Sequence, residues 1–529
     1  MAVLVGALGV AAEEGRYGGT LTIALAKDAT NLDPAFYLDT PSFNVMEQIF
    51  DTVVTYAQGS TEIIPLLAES WENPDPLTWI FHLRSGVRFH NGEELDAEDV
   101  AYSWNRFLDP ELAVPRQRLF MVERVEALDK WTVKVVLKEP FAPFLDVVAG
   151  VGCGIVPKDL LEQKAAELGS KKEAASWFGR NPVGSGPFRF VSWRKEVEIV
   201  LERNEDYWLT KPYLERVVFR PIPESAVVTT ELLAGRVDIS ETVAPDDVPL
   251  LRNNPDLEIV TTPGMNYFYA AFNLMDPQES GVHIRAAEGT GINPFQDIRV
   301  RKAIYHAVDV VAMIDSIFPY GVVGGRTYGP LPATNRWYNP EVESYALGYD
   351  PEKAKQLLAE AGYSDGFKTR IYAPEDPNRE AIAVMMQSYL AEVGIEAEVQ
   401  VLAWSIYLPL LASGDSDIFI LGWGMSPDGY DVLYYLFHSA NWGPAGNRQR
   451  YKNPQVDELI DQLMRESDPA KRKELFARVQ VAIASDYPHI PLYYLNEGGA
   501  VNRRVHGYSP HPTGGFKLVT PWTNVWVEG

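Results

Sequence analysis

Cysteine is almost missing from this chain. Cys153 is the single one in 529 residues, which excludes an intramolecular disulfide and a cysteine-rich metal site. Its expected role is that of a small buried apolar residue. Histidine is scarce as well: eight are scattered along the chain, and no pair has the spacing of a zinc helix. Positive charge is in the minority, with 47 Lys and Arg against 72 Asp and Glu and a formal net charge of −25. Such a field repels nucleic acid and anionic membranes, so no nucleic-acid partner is expected. The G-x-x-x-x-G-K-[ST] phosphate loop, the H-E-x-x-H zinc helix and the G-x-S-x-G nucleophile elbow are all absent. Gly150, Gly152 and Gly154 lack the dinucleotide spacing and read as a tight turn. Asp428 and Asp431 lack the glycine and terminal Glu of a calcium loop. No catalytic residue, metal or cofactor is expected, and a secreted hydrolase is kept only as a remote alternative.

What is present is a large, aromatic-rich α/β pattern. At 46% apolar and 12% aromatic residues, a chain of this length builds two or three packed units. Residues 1–12 form an apolar stretch ending Val10-Ala11-Ala12, like the hydrophobic region and cleavage site of a signal peptide without its basic start. No other stretch nears the ~18–20 apolar residues of a membrane span. The expected mature protein is exported, periplasmic or otherwise extracytoplasmic, and has no transmembrane segment.

Between Leu67 and Trp104, Thr78–Leu83 alternates like a half-buried strand. Asn91-Gly92 gives a turn, and Asp96 caps a helix through Phe107. The spacing predicts a helix from about Phe43 to Tyr56, a hairpin turning at Asp129-Lys130 and a helix around Leu160–Phe178. Asp350-Pro351, Asn453-Pro454 and Asp468-Pro469 each read as an N-cap followed by proline at the first helical position. Strand EAEVQVL, helix SIYLPLLA and strand DIFILGW form a β-α-β run. Aromatic residues crowd loops and strand ends: Phe36-Tyr37, Tyr269 near a chain crossing, and Trp404 and Trp423 after strands. Flat rings there suit sugar faces or apolar side chains, with core packing as the competing explanation.

Several segments resemble the family 5 extracytoplasmic solute-binding proteins of ABC importers. They are LAESWENPDPLTWIFHLRSGVRFHNGEELDAEDVAYSW, NPVGSGPFRF…RNEDYW, DIRVRKAIYHAVD and YDPEKAKQLLAEAGY, in the family's order. The resemblance implies a two-lobed periplasmic-binding-protein type II fold, α/β, with an extra inserted subdomain. Residues 13–56, 181–270 and 489–529 would form lobe I, with 57–180 the insert and 271–488 lobe II. Hinge crossings are expected near Phe272-Asn273 and Ile490-Pro491. The implied function is a monomeric receptor that closes on a solute and delivers it to ABC permease transmembrane subunits. Peptide is the expected solute, and oligosaccharide the alternative. Expected ligand contacts are Phe36, Tyr37, Asp39, Tyr269, Asn273, Trp404, Trp423, Gly424, Met425, Ser426 and Asp428. Ser426 stands where peptide binders of the family carry an Asp for the ligand amine, and Asp428 is a candidate substitute. Ile420 stands where some oligopeptide binders place an Arg.

Overall fold

The computed structural model describes residues 15–115, 117–277 and 284–528; the expected signal remnant at 1–12 lies outside them. A twelve-stranded mixed sheet runs through the molecule. From one edge the order is Glu396–Leu402, Lys368–Pro374, Ile418–Gly424, Asn266–Phe272 and His489–Asn502. It continues through Ile239–Ser240, Thr20–Leu25, Arg216–Pro221, Glu198–Arg203 and Phe188–Arg194. The fourteen-residue strand His489–Asn502 joins the two halves. Its first residues pair with Asn266–Phe272, Tyr493 opposite Phe268 and His489 opposite Ala271. Its last residues pair with Leu257–Pro263, Asn496 opposite Pro263 and Asn502 opposite Leu257.

The chain therefore passes between halves at Gly264-Met265 and at Tyr494-Leu495. Of the expected crossings, Ile490-Pro491 instead lies inside the long strand where it pairs with Asn266–Phe272, and Phe272-Asn273 at the far end of that second-half strand. Burial along the long strand does not alternate: it is buried from His489 to Tyr493, half-buried from Tyr494 to Gly498 and buried again from Gly499 to Val501. A period-two pattern therefore does not mark where it changes partners.

Within 57–180, a separate four-stranded sheet orders Ala68–Asp75, Thr78–Leu83, Thr132–Leu137 and Val122–Asp129. Thr78–Leu83 buries Trp79, Phe81 and Leu83 and leaves the alternate positions half-buried. Helix Ala97–Asn105 starts in a capping box in which Asp96 and Asp99 exchange bonds with backbone N–H groups. Trp104 then meets Phe81 and Phe144 edge-on at 5.8 and 6.2 Å. The cap-proline helices are found as Pro351–Glu360, Pro454–Arg465 and Pro469–Asp486, each capped by the side chain just before its proline. Gly150–Gly154 is a tight 3-10 turn. Cys153 is a buried residue of that turn, and burial pushes its thiol up to about 12.

Two helices differ from expectation. The first spans Thr40–Met46, and Val54–Tyr56 is a strand. Helix cannot continue because the backbone beyond Met46 is committed elsewhere. Gly186 N–H donates to Ile49 O and Phe188 N–H to Gln48 O, both at 2.9 Å. A side chain at Gly184 would sit 2.0 Å from Ile49 O, which accounts for the glycines of NPVGSGPF. Ser185 Oγ, Tyr207 OH and Trp208 Nε1 all donate to Asp51 at 2.9 Å, so the RNEDYW stretch is a clamp on this same turn. The helix expected around 160–178 is two, Lys158–Leu168 and Lys171–Phe178. Gly169 turns left-handed at φ 90°, and Ser170 caps the second.

Candidate functional site: the crevice at the strand crossing

Both halves of the sheet aim their parallel strands at the crossing. In the first, Thr20–Leu25 runs parallel to Arg216–Pro221 and to Ile239–Ser240. Ile239 pairs antiparallel with Val501, so its strand points back along the long strand toward Glu497. In the second, Lys368–Pro374 runs parallel to Glu396–Leu402 and Ile418–Gly424, and Gly424 ends opposite Asn266. The carboxyl ends of both sets thus converge on Gly264-Met265 and Tyr494–Glu497. A crevice at such ends is where α/β folds hold ligands, because loops and unpaired backbone are gathered there.

The expected contacts divide into three groups. Trp404, Trp423, Gly424 and Ser426 lie at the carboxyl ends of second-half strands, facing the crossing, whereas Met425 beside them is buried in the core. Trp404 is 50% exposed and opens helix Trp404–Ser413. The Arg379 guanidinium lies 5.6 Å from the Trp404 ring and 5.9 Å from that of Phe268. Arg379 meets Asp376 at 3.2 Å, and its Nε finds no acceptor in good geometry. Trp423 packs against Tyr435 at 5.7 Å. Phe36, Tyr37 and Asp39 form the loop after the first strand. Arg106 lies 5.8 Å from the Phe36 ring and Arg118 4.4 Å from Tyr37, while Asp39 caps helix Thr40–Met46.

Tyr269, Asn273 and Asp428 form the third group, and none reaches the crevice. Tyr269 is buried in a central strand, 5.3 Å from the Tyr267 ring and 5.1 Å from His489. Asn273 is buried and donates to Gly414 O and Ser416 O at 2.7 Å, fixing a turn. Asp428 is buried and fully committed. Arg472 meets it at 2.5 Å, and Arg336 and Trp337 Nε1 each at 3.0 Å. Ile420 is likewise a core residue.

Ser426 is also occupied. Its N–H donates to Asp431 at 3.0 Å and its hydroxyl at 2.8 Å. Burial raises the Asp431 carboxyl above its usual range, and these bonds oppose the shift. Ser426→Asp should therefore set two carboxylates side by side and not restore an amine anchor. The expected result is destabilisation by roughly 1–3 kcal/mol in thermal unfolding at neutral pH. A stable variant with gained affinity for free-amine peptides would contradict this.

Comparison with known proteins points one way. The family model for bacterial extracellular solute-binding proteins, family 5 (middle), matches residues 62–444. The chain belongs to that family. It is 30% identical over 525 residues to "Heme-binding protein A" of Haemophilus influenzae, covering 94% of this chain and 90% of that protein. It is 28% identical to the "Dipeptide-binding protein" of Escherichia coli K12 over 495 residues, covering 88% and 87%. The solved periplasmic binding protein DppA from Helicobacter pylori, in complex with the peptide STSA, matches with a TM-score of 0.73 and 30% identity. That match covers 97% of this chain and 99% of that one.

Other groups in this solute-binding protein were not singled out by sequence. Arg336 joins the insert to the second half: it meets Asp146 at 2.6 Å, Asp428 at 3.0 Å and the Thr61 carbonyl. Beside it, Phe141 meets Tyr430 edge-on at 5.3 Å, and Ala142 N–H donates to Met464 O at 2.9 Å. Glu241 and Glu497 stand on the first-half side of the crevice. The available signal was a lone charge inside an apolar run: Asp146 in FLDVVAG and Glu497 in PLYYLNEGGAV. Among the described residues no group of three or more His, Cys, Asp or Glu could hold a metal ion. No helix among them is long and apolar enough to cross a membrane.

Proposed function

We propose that this family 5 protein is a nonenzymatic, monomeric peptide receptor of an ABC importer, working outside the cytoplasm. The observation that carries the reading is the placing of charge about the crossing, with carboxylates Glu241 and Glu497 on the first-half side. On the second, Arg379 meets Asp376 at 3.2 Å and keeps its guanidinium beside the exposed Trp404 ring. A dipolar ligand answers both walls, whereas a neutral sugar would leave them unanswered. The peptide named with the Helicobacter pylori relative, and the dipeptide in the name of the Escherichia coli one, support the same choice. We place the lobe boundaries at Gly264-Met265 and Tyr494-Leu495, where the strands change partners, with 57–180 as the insert. Closure about these crossings favours the ligand-bound state only through contacts made in that state. The permease then reads the paired lobe surfaces.

Mass spectrometry of copurifying ligand, followed by calorimetry with di- to tetrapeptides, tests the reading; recovery of glycans alone would overturn it. Trp404→Ala should weaken peptide binding by roughly 1–3 kcal/mol, because its exposed ring offers apolar contact beside Arg379. Trp423→Ala should cost a similar roughly 1–3 kcal/mol. Unchanged calorimetric affinity in both variants would remove the rings from the site.

A further inference from the structure

We propose that the first-half wall of the crevice is a subsite for a ligand alkylammonium group, built from Glu241, Glu497, Glu47 and the amide oxygen of Asn44. The inference rests on the peptide reading and names which part of the peptide is held.

Glu241 follows the strand Ile239–Ser240 at its crevice end. It accepts from Ala26 N–H and from Asn44 Nδ2, both at 2.9 Å. Glu497 sits in the long strand just past the crossing. Space for its carboxylate comes from glycines: a Cβ at Gly264 would lie 2.9 Å from its Oε1 and one at Gly514 3.3 Å from its Oε2. Glu47 pairs with Lys517 through Oε1, while its Oε2 abuts Gly515, where any Cβ would overlap it. Glu497 and Glu47 thus press on the same Gly514-Gly515 turn; Lys517 pairs with Glu47, and Lys27 acts on Glu241.

A second observation is independent of the acidic count. Asn44 is 2% exposed, and its carboxamide donates to Glu241, yet the oxygen of that amide has no donor. Glu47 Oε2 is buried without a donor in full hydrogen-bonding geometry, while the Phe516 backbone N–H and Lys517 both act to hold that carboxyl down. Leaving buried acceptors unpaired is costly, and the cost is returned when a donor arrives. An ammonium brings a positive charge and three N–H donors, which suits a wall of acceptors. The electrostatics agree. Burial, then Glu241 and Glu47, push the Glu497 carboxyl up to about 7. Burial and the same three carboxylates also raise the Tyr508 phenol, which places Tyr508 among them.

The ammonium is either the peptide amino terminus or a lysine-type side chain. Calorimetry on the full chain with trialanine, Nα-acetyl-trialanine and Ala-Lys-Ala separates the two. If the terminus is held, acetylation weakens wild-type binding at least tenfold, and Glu497→Gln weakens trialanine equally while leaving the acetylated peptide unchanged. If the side chain is held, Ala-Lys-Ala binds at least tenfold tighter than trialanine, and Glu497→Gln removes that advantage. Glu497→Gln relieves like-charge repulsion, so it should melt no lower than wild type, which confirms folding. Wild-type-like binding of every peptide by Glu497→Gln and Glu241→Gln overturns the subsite. Should wild type bind none of the peptides, cadaverine decides. A thermal shift in wild type that Glu497→Gln lacks keeps the subsite and sinks the peptide reading; no shift sinks both.

Discussion

Arg336→Met opens the receptor: the expected result is a larger radius of gyration in solution scattering and a loss of ligand affinity. Arg336 is the one cation within ion-pair distance of Asp146 among the described residues, and it also bridges to Asp428. Both carboxylates are almost completely buried. Burial pushes the Asp146 carboxyl up to about 6 even with the Arg336 charge opposing it, and Asp428 adds to the rise. Without the guanidinium, Asp146 must take a proton or reach water, and water is reached by parting the insert from the second half. Breaking a buried pair on one side costs about 3–5 kcal/mol. If this falls on the closed state alone, affinity drops by about two to three orders of magnitude. Adding Asp146→Leu should recover much of the loss, since no unpaired charge remains. Wild-type scattering and affinity in Arg336→Met would show that the bridge does not hold the lobes.

His489 makes the second-half core acid-sensitive. Its ring is buried among Tyr267, Tyr269 and Phe437, with centroids 5.4, 5.1 and 4.9 Å away. Tyr267 OH lies 2.6 Å from Nε2, and Gln449 Oε1 lies 3.4 Å from Nδ1. Gln449 oxygen can only accept, so Nδ1 carries the proton and Nε2 accepts from the phenol. Burial lowers the imidazole from 6.5 to about 3. A depressed folded value means the unfolded chain binds the proton first. Stability from this group is present above pH 6.5 and is lost as pH falls toward 3, by about 1.4 kcal/mol per pH unit.

His90 and His511 are lowered in the same way, while the raised carboxyls of Asp99, Asp146 and Glu497 act in the opposite sense. The clean measurement is therefore the difference between wild type and His489→Gln in urea unfolding. That difference should shrink by roughly 2–3 kcal/mol between pH 6.5 and pH 4.5. A difference independent of pH would refute the burial argument.

Local chemistry was well marked in the chain. Asp350, Asn453 and Asp468 cap their helices as the cap-proline pattern requires, and Thr78–Leu83 buries alternate residues. These features depend on neighbours within a few positions, which is the range a sequence displays. The candidate site was half legible. Trp404, Trp423, Gly424 and Ser426 follow strands whose carboxyl ends face the crossing, and Met425 beside them is buried. Tyr269, Asn273 and Asp428 look equally polar or aromatic in sequence, but their strand neighbours and Arg472 enclose them.

By itself the sequence determined most of the elements, though not the end of the first helix or the break at Gly169, together with the two-lobed α/β class, the family and the absence of recognisable catalytic motifs. Each rests on spacing, caps and motifs read over short stretches. Only the tertiary structure decided where the chain crosses between halves, that Asp146, Arg336 and Asp428 form one bridge, and that three glutamates and Asn44 face one another. Asp146, Arg336 and Asp428 stand 92 to 282 residues apart, and Glu241 and Glu497 lie about 200 and 450 residues from Asn44 and Glu47. Their proximity is set by strand order and by the glycines at 264, 514 and 515 that make room for carboxylates. Charge placed by distant backbone contacts leaves no local periodicity, so it becomes readable only once the sheet is assembled.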